Sequence, residues 1–277
     1  MAGQTKKRHL DYSLHLVAYI DILGFRELIE EKDPNFISKA IRQVRDVTKP
    51  NVHTNKYKKE NYVIFSDLIV HTVPFADNSD KWKPFEIVLN QIKYIALVQA
   101  VLIEKDLWVR GAITVGDMER SYGIPFGPGL ITAYELERDQ AIFPRIIIDE
   151  KLLETLEENG LLEGTNDKKL MKRLFKCLRR DDDGLVFIDY LGFMAHVLKS
   201  DAADFPQLVA THKKLIEKNL HKFRHKKRVL SKYLWLRKYH NAVVRTKFGL
   251  KQRSEFHIDV PNGALQVPSL EPSPNNQ

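Results

Sequence analysis

Residues 13–25 read SLHLVAYIDILGF. Leu14, Leu16, Ala18, Ile20 and Ile22 alternate with His15, Val17, Tyr19, Asp21 and Leu23. A period of two is the pattern of a β-strand, and Gly24 breaks it. Helical patterns follow over 25–32 and 35–47, the second opening after Asp33-Pro34. Two short β-type runs at 61–65 and 68–73, hinged at Ser66-Asp67, predict a hairpin. Residues 84–105 open with Pro84 and carry Ile87, Ile92, Ile95, Val98 and Leu102 at helical spacing. Residues 107–115 (LWVRGAITV) read as a strand, and the turn GIPFGPG leads into the helical stretch LITAYELERDQ. RIIID at 145–149 is a further short strand. The order β-α-α-β-β-α-β over 1–150 predicts an α+β fold, an antiparallel sheet with helices on one face.

Beyond 150 the pattern changes. Residues 151–158 and 168–178 read as helices, 184–191 (GLVFIDYL) as a strand, and 204–245 as long helices. Residues 151–260 are thus expected to form a mixed, mainly helical extension. The stretch 261–277, rich in Pro, Asn and Ser, is expected to be a mobile, disordered tail.

With 277 residues and 43% apolar content, the chain can build a substantial core. One cysteine, Cys177, excludes a disulfide framework and a cysteine-based zinc finger. The N-terminus lacks the uninterrupted apolar segment of a signal peptide, and no apolar run approaches the length of a membrane span. A cytoplasmic protein that meets no membrane is the expectation. The formal net charge of +8 favours an anionic partner. The excess gathers in 213–238, where only Glu217 is acidic. That run reads as a solvated helix face in preference to a nucleic-acid site, since no RNA-binding signature accompanies it. His221 and His225 lie one helical turn apart with no third ligand nearby, which points to exposed histidines.

Three segments carry chemistry: YIDILGF (19–25), FSD (65–67) and VRGAITVG (109–116). Asp21 closes an apolar strand and Asp67 sits at a hairpin hinge. If the strands are neighbours, two carboxylates converge and require a proton or a cation between them. A hard divalent ion such as Mg²⁺ or Mn²⁺ suits two carboxylates and a backbone carbonyl. Taken singly, Asp before Gly is also an ordinary turn or cap residue. Arg110 is either a phosphate clamp or a surface arginine lying over Trp108.

Together with FGPGLITAYELE and PRIIID, these segments resemble the catalytic domain of the class III nucleotidyl cyclases over residues 13–150. Their wording is similar to the pyrimidine cyclase branch of the bacterial Pycsar anti-phage systems. The resemblance implies that Asp21 and Asp67 bind the metal ions, with the backbone carbonyl of Ile22. It places Phe25 and its neighbours in the loop that holds the triphosphate, and Arg110 in the R-x-G motif, where charge suggests a phosphate role. It further implies Mn²⁺ or Mg²⁺, a homodimer with composite sites, and a separate effector that binds the cyclic product. The contact made across that dimer is expected from 107–137.

The chain also departs from the family. Ile131 and Glu135 stand where the family has a transition-state Asn and Arg; Arg120, Arg138 and Arg145 are the candidate substitutes. Val63 and Ile124 stand where purine cyclases read the base. Neither can hydrogen-bond to a base, so a pyrimidine is expected, UTP before CTP. Tyr62 is either a substrate contact closing the pocket or a strand tyrosine in the core or dimer interface. The expected function is a uridylate cyclase making 3′,5′-cyclic UMP. The alternatives are a cytidylate cyclase making cyclic CMP, a nucleotide-binding module without turnover, and a nucleic-acid-binding protein using the basic run.

Overall fold

The computed structural model describes residues 12–48, 61–75, 84–119, 125–158, 172–198 and 204–259. The period-two run forms β1 (Ser13–Ile22). It is followed by α1 (Phe25–Glu31), α2 (Pro34–Thr48), β2 (Asn61–Phe65), β3 (Leu68–Pro74) and α3 (Pro84–Ile103). Next come β4 (Val109–Met118), α4 (Pro128–Asp139), β5 (Ile146–Ile148) and α5 (Glu150–Glu158). The described remainder contains β6 (Leu178–Arg180), β7 (Val186–Ile188), α6 (Tyr190–Val197), α7 (Asp204–Lys222), α8 (Lys227–Lys247) and α9 (Leu250–Phe256).

The strands form one seven-stranded sheet in the order β2-β3-β1-β4-β5-β7-β6. β1 lies third in that order, between β3 and β4 and antiparallel to both. β4 and β5 are parallel, because α4 supplies the crossover that a parallel pair needs. The class is α+β, as expected.

Helices, however, lie on both faces of the sheet instead of one. Val17 of β1 packs with Met118 and with Ala133 of α4, and Tyr19 meets Tyr134 of α4 edge-on at 5.7 Å. On the other face Tyr62 of β2 meets Tyr94 of α3 at 6.5 Å. Val17 and Tyr19 make the second face of β1 apolar enough to hold a helix, so both sides of the strand are covered. Gly116 permits the close approach of α4: a Cβ there would stand 2.6 Å from the Cα of Gly129.

The chain divides into two compact units, Met1–His212 and Lys213–Gln277. Residue 150 falls inside the first, where β6 and β7 extend the sheet. β6 and α6 are additional to the sequence reading, which had a helix over 168–178 and a strand through 191. The tail 261–277 lies outside the described residues.

By length and composition Phe85–Ile103 of α3 is apolar enough to cross a membrane, although Glu86 and Lys93 interrupt its apolar run. Two-thirds of it (67%) is buried within the protein, as in the core helix of a folded domain. In the first unit Arg145 is fully buried and ion-paired with Asp181 and Asp183, beside the rings of Phe143 and Phe187. In the second unit Asn241 of α8 holds both the N–H and the carbonyl of Ile258, and His240 meets the carbonyl of Phe256.

Two buried histidines make stability depend on pH. Burial lowers His71 to about 3 and His240 to about 4. Both stay neutral in the folded chain at pH values where the unfolded chain, titrating near 6.5, takes up a proton. Stability is therefore full above about pH 6.5 and is lost as pH falls towards these lowered values, by about 1.4 kcal/mol per pH unit for each histidine. Urea unfolding at pH 7 and pH 5 should show each unit about 2 kcal/mol weaker at pH 5. A flat profile over that range would contradict the burial of these rings.

Candidate active site

The C-terminal end of β1 organises the site. Asp21 pairs with Leu68 on β3 and with Arg110 on β4, so it sits between the two neighbouring strands. The register Phe65↔Leu68 leaves Ser66-Asp67 as a two-residue turn. Ser66 takes a left-handed φ of 58°, the conformation that tight hairpins need at their first central position. The turn lies beside β1: the N–H of Ile22 donates to the carbonyl of Asp67 at 3.0 Å. The carboxylate-bearing residues Asp21 and Asp67 thus meet at one sheet end, as the sequence predicts.

Both side chains are only partly exposed. Tyr19, one pleat before Asp21, reports their fields. Its hydroxyl titrates above the ordinary tyrosine range, first through burial and then through the charges of Glu137, Asp21 and Asp67.

Arg110 neutralises part of this charge. Its Nε donates to Asp21 Oδ2 at 3.2 Å, Nη2 stands 2.7 Å from Glu137 Oε1, and Nη1 donates to the carbonyl of Ala141 at 3.4 Å. It therefore meets Asp21 of its own chain. It does not lie over Trp108, which meets His212 edge-on at 5.4 Å and donates to Asp106.

At the end of β1, Gly24 takes φ +72° and opens α1 with no side-chain cap. The left-handed turn suits glycine and leaves the first-turn amides of α1 without a capping side chain. Phe25 itself is buried, so its backbone and not its ring is what a phosphate would meet.

Tyr62 requires a correction. It pairs with His71, which pairs with Ala18, so its side chain lies on the face opposite Tyr19 and Asp21. There it stacks on His71 at 3.9 Å. Strand alternation gives it the core role and removes it from the pocket. Val63, in line with Val70 and Tyr19, takes the site-side face.

Ile131 is 60% exposed, and Glu135 is exposed too. Of the candidate substitutes for the missing cation, Arg145 is committed to Asp181 and Asp183. Arg138 is exposed, ion-paired with Asp139 at 2.7 Å and placed over the Tyr134 ring. Arg120 and Ile124 lie outside the described residues. Sequence reasoning missed Glu137 and Tyr19. Glu137 had one available signal: it lies four residues after Ala133, on the helix face that packs against the sheet.

Among the described residues no group of three or more His, Cys, Asp or Glu side chains gathers as a metal-binding cluster. Two carboxylates are nevertheless what a Mg²⁺- or Mn²⁺-nucleotide site uses, with water and phosphate oxygens completing the shell. The donor chemistry of Asp21 and Asp67 fits such an ion.

No family model and no curated protein matches the chain. Among solved structures it is similar to the adenylyl cyclase CyaB from P. aeruginosa, at 16% identity over 54% of this chain and 83% of that one, TM-score 0.42. It is similar to the monomeric guanylyl cyclase domain of the RhoGC fusion protein from the aquatic fungus Blastocladiella emersonii, at 12% identity over 64% and 95%, TM-score 0.40. A third is the guanylyl cyclase Cya2, at 11% identity over 65% and 92%, TM-score 0.38.

Proposed function

We propose that the chain is a metal-dependent nucleotidyl cyclase that converts a pyrimidine nucleoside triphosphate, UTP before CTP, to its 3′,5′-cyclic monophosphate and pyrophosphate. The observation that carries this reading is the meeting of Asp21 and Asp67 at one sheet end, beside the Arg110 guanidinium. Asp21, Asp67 and the carbonyl of Ile22 would hold Mn²⁺ or Mg²⁺. Such an ion neutralises triphosphate charge and acidifies a hydroxyl. The uncapped start of α1 would receive phosphate oxygens at its amides. The ribose 3′-hydroxyl loses its proton and attacks the α-phosphorus in line. The bond to the bridging oxygen breaks, and pyrophosphate leaves.

The sequence resemblance supports the remaining roles: a cytoplasmic homodimer, and a product that acts as a messenger on a separate effector in Pycsar-type anti-phage defence. A dimer also suits the exposed apolar side chains of α4 and its flanks, Phe126, Ile131, Tyr134 and Ile142. Val63 on the site-side face favours a pyrimidine. Purine ring polar groups left without partners cost about 1–3 kcal/mol each, roughly ten- to hundredfold in discrimination. A second reading, a nucleotide-binding module without turnover, is favoured by Ile131 and Glu135 at the transition-state positions.

Equal concentrations of the four NTPs with Mn²⁺, analysed by mass, test the proposal. Cyclic UMP as the main product is expected. Cyclic CMP would change only the order of the pyrimidines, dominant cyclic AMP or GMP would overturn the pocket reading, and binding without product would favour the module.

A further inference from the structure

Arg110 presents a difficulty for a cation-binding site. Its Nε stands 3.2 Å from Asp21 Oδ2, so a fixed positive charge already occupies the carboxylate that a divalent ion would share. Like charges at such range repel strongly. The opposite side of the guanidinium meets Glu137, and that contact is the shorter one, 2.7 Å from Nη2 to Oε1. The Glu137 side chain is 5% exposed, against 24% for both Arg110 and Asp21. The third nitrogen donates to the carbonyl of Ala141, just beyond the C-terminus of α4, where the helix dipole favours a cation. Arg110 is thus shared between Asp21, to which its Nε hydrogen-bonds, and α4, whose Glu137 carboxylate is the more buried of its two counter-charges.

We propose that Glu137 is a positioning residue for the metal site: it anchors and balances Arg110, so that Asp21 keeps its charge available for a divalent ion. The inference rests on the cyclase reading of Asp21. Carboxylates that act through such outer partners change metal affinity by about 10–100-fold when altered. In Glu137→Gln the counter-charge is gone, Arg110 turns fully to Asp21, and the cation is repelled.

The test is equilibrium Mn²⁺ binding by electron paramagnetic resonance without nucleotide, on the full chain. Wild type should bind Mn²⁺, and Glu137→Gln should bind about tenfold more weakly. The double variant Arg110→Met/Glu137→Met removes both charges together, a change that buried pairs often tolerate. It should return Mn²⁺ affinity to near the wild-type value, an outcome that a merely structural role for Glu137 does not produce. If Glu137→Gln does not fold, the double variant carries the test by itself. Unchanged affinity in Glu137→Gln, or weakened affinity in a folded double variant, would overturn the inference alone and leave the cyclase reading standing. A wild type that binds no Mn²⁺ and releases no pyrophosphate would overturn both.

Discussion

Asp67→Asn is expected to lower cyclisation about a thousandfold while the protein stays folded. About 4 kcal/mol of lost charge stabilisation at the transition state corresponds to that factor. Asparagine nearly keeps the side-chain volume, and the carbonyl of Asp67 still accepts from the N–H of Ile22, since that bond belongs to the backbone. The metal-free variant should melt no lower than wild type, because one of the carboxylates around Tyr19 has lost its charge. For the same reason the Tyr19 hydroxyl should titrate closer to the ordinary tyrosine range. Asp21→Asn should abolish turnover as well, but it also removes a charge partner of Arg110, so Asp67→Asn is the cleaner variant. Pyrophosphate release and thermal melts of both proteins check this. Near-normal turnover in a folded Asp67→Asn would remove the metal role from the hairpin turn.

Arg145→Met is expected to give the largest loss of stability, about 3 kcal/mol, without touching the site. The guanidinium is fully buried between β5 and the turn joining β6 to β7, where it meets both Asp181 and Asp183. Removing it takes from Asp181, with 12% side-chain exposure, the guanidinium it is paired with. Asp183 is 41% exposed and recovers part of its solvation, which keeps the loss at the lower end for a broken buried pair. Lysine at this position keeps the charge but not the fork that serves two carboxylates, so Arg145→Lys should fall between. The urea midpoint measures all three, and a midpoint for Arg145→Met equal to wild type would contradict the role given to this cluster.

These two residues show what a single chain discloses and what it hides. Asp67 was legible because its cues are local: two β-type runs, a two-residue hinge, and a register that follows from both. Asp21 and Arg110 were legible as strand residues, and strand pairing made them neighbours. Arg145 was not, since its partners lie 36 and 38 residues away in the turn between two strands of three residues each. The helical reading of 168–178 runs into Leu178, and only pairing with β7 makes 178–180 a strand. α6 had a readable sign, Asp189, whose carboxylate caps the helix by accepting from the N–H of Gly192. Tyr62 shows how alternation decides a role. Its hydroxyl drew attention, but a shift of one residue along a strand moves a side chain to the other face of the sheet.

The most direct measurement incubates the purified protein with UTP and Mn²⁺ and counts pyrophosphate against 3′,5′-cyclic nucleotide, with Asp67→Asn as the control. One pyrophosphate for each cyclic product is expected in the wild type and neither in the variant. Release of inorganic phosphate with a nucleoside diphosphate, or equal turnover by the variant, would contradict this.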